Sequence, residues 1–280
     1  MNILDSIVEH KKKEVAERRS ARGIHVLEKD VFFDRPTLSM RQFLQDKDRT
    51  GIIAEFKRKS PSRGVINPDA DVFSVTEAYA RGGASALSVL TDEHFFGGST
   101  EDLLKARAHP VPILRKDFMI DEYQVVEAKA MGADVILLIA ACLDPGTVTK
   151  LARLAKSLKL EVLLEIHKEE ELEHICDEVD LVGVNNRDLK TFSVDINRSI
   201  ELIGRIPPGK ISVAESGISE VDTIRLLKTH GYQGFLIGEN FMKEPDPAIA
   251  FASFVNQLKK GLHESKSLRH DTTRSGQKAG

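Results

Sequence analysis

An α/β fold, a single (β/α)8 TIM barrel with an N-terminal helical extension, is predicted by three features of the sequence. From Gly51 onward, short β-rich runs alternate with longer segments of helical period, the pattern of strand and helix units around a parallel sheet. Eight such runs occur: Ile52–Lys57, Ala86–Leu90, Val111–Lys116, Asp134–Ala140, Glu161–Ile166, Leu181–Asn186, Ile211–Ser216 and Gly234–Gly238. Their ends recur at intervals of roughly 20 to 35 residues, room for a loop, a helix and the next strand, and right-handed crossovers wind them one way. A length of 280 residues suits one such barrel.

Two helical patterns precede the first strand, Ile3 to about Ser20 and Ser39 to about Asp46, joined by a stretch containing Pro36. They have no strand of their own, so residues 1–50 are expected to form an extension packed on the barrel and helping to close one end. Within the barrel, 51–262, several helices carry their own punctuation. Asp121-Glu122 opens a stripe through Val125, Val126 and Ala130 that stops at Gly132, and Asp144-Pro145 opens Val148, Leu151, Leu154 and Ala155. Ser219-Glu220 opens Val221, Ile224 and Leu227, with Gly231 past the end. The remainder, 263–280, is polar with almost no large apolar groups and is expected to be a disordered tail.

Composition narrows the function. The chain is 41% hydrophobic and 30% charged, ordinary for a globular protein with a sizeable core. A net charge of -3 gives no field that would draw nucleic acid or an anionic membrane. The longest strongly apolar run, Val135 to Leu143, is far short of the ~20 residues of a membrane helix, and no apolar leader is present. A cytoplasmic protein follows, a monomer or weak homo-oligomer. Cys142 and Cys176 suggest buried small hydrophobes rather than a disulfide or zinc site. The nine histidines include no pair at metal-ligand spacing, and only His167 stands near a strand end. The basic run His10-Lys11-Lys12-Lys13 suggests the solvated face of an amphipathic helix.

Barrel enzymes place their chemistry at the C-terminal strand ends, and here five strands end in ionisable or amide groups. These ends are Glu55-Phe56-Lys57, Arg115-Lys116-Asp117, Glu165, Asn185-Asn186-Arg187 and Glu215-Ser216. Glu55 and Lys57, two apart, share a face. One such charge alone would be a solvated strand end or a mouth salt bridge. Five at matching places imply mutual pairing around a polar ligand, because unpaired buried charge is costly. Gly217 and Gly238 follow strands seven and eight, where such barrels commonly bind phosphate on unpaired backbone N–H groups. A small phosphorylated substrate is expected.

The run Ile53-Ala54-Glu55-Phe56-Lys57-Arg58-Lys59-Ser60-Pro61-Ser62 resembles the first-strand signature of the indole-3-glycerol phosphate synthase family. Family order is kept by Thr91-Asp92-Glu93-His94-Phe95-Phe96-Gly97-Gly98-Ser99, Leu114-Arg115-Lys116-Asp117-Phe118, Leu164-Glu165, Asn185-Asn186-Arg187-Asp188-Leu189 and Ala214-Glu215-Ser216-Gly217-Ile218. The resemblance covers Met1 to about Leu258. It implies cyclisation of 1-(2-carboxyphenylamino)-1-deoxyribulose 5-phosphate to indole-3-glycerol phosphate, with loss of carbon dioxide and water, in tryptophan biosynthesis, and it implies no metal and no cofactor.

The resemblance further implies that Lys116 is the general acid of ring closure, its apolar strand favouring a lowered pKa. By the same token Glu165 is the base of the dehydration, and Glu55 and Asn185 position the reacting hydroxyl and the anilino nitrogen. Lys57 holds the substrate carboxylate or protonates the leaving hydroxyl, and Glu215 orients the lysines and sugar hydroxyls. Ser60, Ser216, Gly217, Gly238 and Glu239 correspond to the phosphate region, Glu239 only through its backbone N–H because its carboxylate would repel the anion. Pro61, Phe118, Leu137, Leu189 and Leu236 suggest apolar walls for the substrate, and Arg187 either a binding residue or a structural salt bridge. Two other readings are weaker. The isomerase of the preceding step would want a Cys or Asp pair at strand ends, and Cys142 and Cys176 do not lie there. An inactive barrel scaffold would carry damaged strand ends, and these are intact.

Overall fold

The structure, a computed structural model, describes residues 3–260; the polar stretch 263–280 lies outside them. Eight parallel strands close into a barrel: β1 (Ile52–Phe56), β2 (Ala86–Leu90), β3 (Ile113–Lys116), β4 (Val135–Ile139), β5 (Glu161–Ile166), β6 (Leu181–Asn185), β7 (Ile211–Glu215) and β8 (Gly234–Ile237). Each strand pairs with the next, and β1 pairs with β8. The expected strands are all present, with ends trimmed for identifiable reasons. The third begins at Ile113 because Pro110 and Pro112 lack the N–H a ladder requires. The seventh stops at Glu215 because Ser216 turns into the left-handed region, φ 64°.

Ahead of the barrel lie α1 (Ile3–Ala21), α2 (Ile24–Leu27) and α3 (Met40–Gln45). Around it run α4 (Val72–Arg81), α5 (Thr100–Ala106), α6 (Glu122–Ala130), α7 (Pro145–Ser157), α8 (Asn197–Leu202) and α9 (Val221–Thr229), then α10 (Glu239–Met242) and α11 (247–260). The predicted starts hold: the side chains of Asp121 and Asp144 cap α6 and α7, accepting from Tyr123 N and Thr147 N. One crossover departs from the pattern. Between β5 and β6 the chain forms only a 3-10 helix, Glu169–His174, where the crowded glutamates disfavour a longer α-helix. Among the described residues no helix is long and apolar enough to cross a membrane.

The period of two sorts the side chains. Ile53, Leu114, Leu163 and Val213 belong to one buried cluster inside the barrel, while Ala54, Ile113, Leu164 and Ala214 belong to the shell between strands and helices. Helix α3 closes the lower end, with Met40 and Leu44 in the interior cluster and Ser39 capping the helix and donating to Glu161. Cys142 and Cys176 are half-buried against the core rather than fully buried.

Two buried carboxylates tie the outer elements down. Asp134 accepts from Arg35 and Leu38 N through Oδ1 and from Arg107 and Ile113 N through Oδ2. Asp117 meets Arg115 at 3.1 Å and Lys11 at 2.9 Å, and Lys11 also lies 3.0 Å from Asp92. The solvated face expected for His10 to Lys13 is therefore wrong at Lys11, which is 1% exposed. Its partners are remote in sequence, so no local pattern announces the burial. Arg115 also differs from a mouth residue: it points outward, fully buried, to Glu127 and the Gln124 carbonyl.

Removing one partner of such a network strands charge in a dry site, which costs about 3–5 kcal/mol. Asp134→Ala is expected to lose that much in urea unfolding; a loss under ~1 kcal/mol would show the network to be slack. Lys11 gives a pH test. Burial opposes its charge, but Asp117, Asp92 and Glu14 outweigh it and the ammonium is pushed up from 10.5 to about 12. A raised folded pKa stabilises fully below pH 10.5, and that stabilisation is lost as pH rises through about 12. The stability gap between wild type and Lys11→Met should thus narrow across that window, and an unchanged gap would contradict the pairing.

Candidate active site

The C-terminal end of the barrel holds a charged mouth built by strand alternation. Inside β1, β3, β5, β6 and β7, the next inward positions above the apolar layer are Glu55, Lys116, Glu165, Asn185 and Glu215. Register sets them at similar heights: Asn185 pairs with Glu215, and Glu215 with Leu236. Lys116 Nζ lies 3.2 Å from Glu165 Oε2 and 3.8 Å from Glu215 Oε2. Lys57, just past β1, lies 2.7 Å from Glu55 Oε1, and Ser88 donates to Glu55 Oε2 at 3.4 Å. Asn185 Nδ2 donates to Glu165 Oε1 at 3.1 Å.

Burial makes these charges depend on one another. For Lys116 desolvation pulls the pKa down, yet the carboxylates of Glu165, Glu215 and Glu55 together outweigh it and hold the ammonium above its ordinary value. The lowered pKa expected from the apolar strand is thereby reversed, because three carboxylates from other strands surround the amine. Glu165 is driven the other way: burial favours its neutral form, but Lys116, His167 and the Asn185 hydrogen bond hold it well below the usual carboxylate range. Burial, reinforced by the charge of Glu165, raises Glu215 well above that range. The mouth therefore offers a protonated amine, an ionised carboxylate and a carboxyl that resists ionisation. Gly183, facing inward on β6, makes this possible: a Cβ there would sit 2.1 Å from Glu215 Oε1.

Two adjoining cavities receive these groups. The first is lined by Glu55, Lys57, Lys116, Glu165, Asn185 and Glu215, with Ser60, Pro61, Phe118, Leu137, Arg187, Leu189, Ser216 and Leu236. The second is lined by Gly217, Gly238 and Glu239, and shares Glu55, Lys57, Arg187, Ser216 and Leu236 with the first. All the residues picked from the sequence thus gather in one place. At the second cavity Ser216 and Gly217 adopt successive left-handed conformations, φ 64° and 75°. A Cβ on Gly217 would strike Val194 at 2.3 Å. Gly238 is the N-cap of α10; the Phe241 and Met242 amides bond the Gly238 carbonyl, and the amides ahead of them have no carbonyl one turn back to donate to. The Glu239 carboxylate is engaged by Arg63 Nε at 2.8 Å and Arg187 at 3.2 Å, so its charge is answered from two loops. Arg187 is both a cavity wall and a salt bridge.

Other lining residues were not found from the sequence. Ile3, Leu4 and Ile7 of α1 roof the first cavity, with Phe96 and Phe192 beside them. The stripe on α1 is legible as amphipathic, but nothing local says which end of the barrel it covers. Arg63 and Lys243 line the second cavity, and Arg63 immediately follows the run that carries the first-strand signature. His167 lies 3.4 Å from Glu165 Oε1; its position two residues after Glu165 was the available signal.

A family profile described as indole-3-glycerol phosphate synthase matches residues 4–254. The chain is 46% identical over 258 residues to the indole-3-glycerol phosphate synthase of Bacteroides thetaiotaomicron, covering 92% of this chain and 99% of that one. It is 44% identical over 252 residues to the protein of that name from Acinetobacter baylyi, covering 89% and 94%. Among solved structures, a native KDPGal structure superposes with a TM-score of 0.57 at 13% identity, covering 80% of this chain and 98% of that chain; this likeness concerns the barrel alone. With matches of this extent across the barrel and its charged mouth, the chain belongs to the indole-3-glycerol phosphate synthase family.

Proposed function

We propose that this chain converts 1-(2-carboxyphenylamino)-1-deoxyribulose 5-phosphate to indole-3-glycerol phosphate with release of carbon dioxide and water, as the decarboxylating lyase of tryptophan biosynthesis. The observation that carries the residue roles is the Lys116 ammonium held between Glu165 and Glu215, 3.2 and 3.8 Å away, beside a glycine-lined cavity suited to an anionic ester. The substrate's phosphate goes to the amides around Ser216, Gly217, Gly238 and Glu239, with the Ser60 hydroxyl as a further donor. The carboxyphenyl ring lies among Pro61, Phe118, Leu137, Leu189 and Leu236. Arg187 steadies the substrate from the β6 loop.

In the first half, Lys116 donates to the ribulose carbonyl oxygen as the ring carbon bearing the carboxylate attacks. A raised pKa keeps Lys116 protonated, as a donor requires. The carboxylate, met by Lys57, leaves as carbon dioxide and restores the aromatic ring. In the second half Glu165, held ionised, removes a proton from the carbon beside the anilino nitrogen while the new hydroxyl departs as water with a proton from Lys57. Glu55 and Asn185 position the hydroxyl and the nitrogen, and Glu215 orients the lysines. The 3.2 Å contact lets Glu165 hand its proton back to Lys116. We further propose a cytoplasmic enzyme, monomeric or weakly self-associating, acting on this small molecule rather than on nucleic acid.

Purified protein given the substrate should develop indole fluorescence; none would sink the assignment. Lys116→Met and Glu165→Gln should each lower kcat by ~10²–10⁴ with KM changed only severalfold, the loss expected for a general acid or base. Gly217→Ala should act chiefly on KM, since its added Cβ disturbs the phosphate cradle rather than the proton donors. A pure kcat effect there would contradict that placement.

A further inference from the structure

His167 touches none of the reacting atoms in the chemistry described above, yet its environment is costly. Its side chain is 10% exposed and its ring stands between two carboxylates, Nε2 3.4 Å from Glu165 Oε1 and Nδ1 3.6 Å from Glu171 Oε2. Neither ring nitrogen makes an aligned hydrogen bond. Burying a polar ring without such bonds is unfavourable. The position is also actively held: the His167 backbone N–H donates to Glu171 Oε2 at 2.6 Å. Glu171 belongs to the 3-10 segment that takes the place of a helix after β5 and is itself buried. Three groups thus run in series from the outer wall to the mouth, Glu171, His167 and Glu165.

We propose that His167 is a positioning residue for Glu165, donating from Nε2 to Oε1 when substrate is bound. Glu165 has one oxygen committed to Lys116 and the other shared by Asn185 and the His167 ring. Asn185 is proposed to engage substrate, so its amide is drawn toward the ligand as the site fills. His167 then keeps Oε1 in place and leaves Oε2 aimed at Lys116 and the proton it removes. Long contacts in a free site that tighten around substrate fit this task, and Glu171 holds the residue from behind by accepting its backbone N–H.

The inference rests on Glu165 being the base, so the test includes that residue. His167→Ala and the ring-shaped but non-donating His167→Phe should each lower kcat by roughly 10–100-fold, the range for outer partners, with KM within about threefold. His167→Gln, whose amide nitrogen reaches the place of Nε2, should recover kcat to within about threefold of wild type. In a Glu165→Gln background, His167→Ala should change kcat less than about twofold, because the group it positions is gone. Wild-type turnover in His167→Ala and His167→Phe, or the same loss in the Glu165→Gln background as in wild type, overturns the inference while leaving Glu165 as the base. Wild-type turnover in Glu165→Gln overturns both.

Discussion

A lysine ammonium buried at a barrel mouth cannot stay charged unless carboxylates pay its desolvation, and much of this active site is the arrangement that supplies them. Glu165, Glu215 and Glu55 come from three different strands, and each acts on Lys116. The same interaction, seen from the carboxylates, keeps Glu165 ionised. Glu215, crowded by Glu165, is left resisting ionisation. Lys116 favours ionisation of both, and it is the added His167 and Asn185 contacts at Glu165, against burial and the charge of Glu165 at Glu215, that separate two chemically identical side chains into different protonation behaviour, the division of labour that acid and base steps in one cavity require.

That arrangement depends on elements far from the mouth. Barrel closure brings β3, β5 and β7 to one ring, and their register fixes the heights of the charged positions. Asp134 binds the loop ahead of α3 to β3 at the lower end. Lys11 binds α1 to the segments after β2 and β3 at the upper end. Since Asp117 directly follows Lys116, the ion pair that anchors α1 also fixes the chain beside the central amine. The apolar start of α1 then lies over the first cavity, where excluding water strengthens the charges beneath it.

Much of this was legible in the sequence because period two is unambiguous in short strands. Alternation put Glu55 and Lys57 on one face and the strand-end positions marked the charged groups around Lys116, Glu165, Asn185 and Glu215, but their roles came from the family resemblance, and Arg115, read among those ends, turns outward; glycines after two strands marked an anion cradle. What escaped were properties made by distant partners. Lys11 sits in a basic run among glutamates and looks solvated until Asp92 and Asp117 are brought against it. Lys116 follows an apolar strand and looks depressed in pKa until three carboxylates surround it. The glutamate-rich crossover after β5, where no helix signal was singled out, forms only a 3-10 segment. The repulsion feared at Glu239 vanished because arginines of two other loops answer it.

At Lys116 the carboxylates win over burial. Labelling the lysine side chains with carbon-13 beside the amine, and assigning the Lys116 resonance by its absence in Lys116→Met, allows that one group to be titrated by NMR in the free protein. A midpoint above the ordinary lysine value of 10.5 is expected. A midpoint below it would mean that desolvation dominates, and the charge arrangement described at this mouth would be wrong.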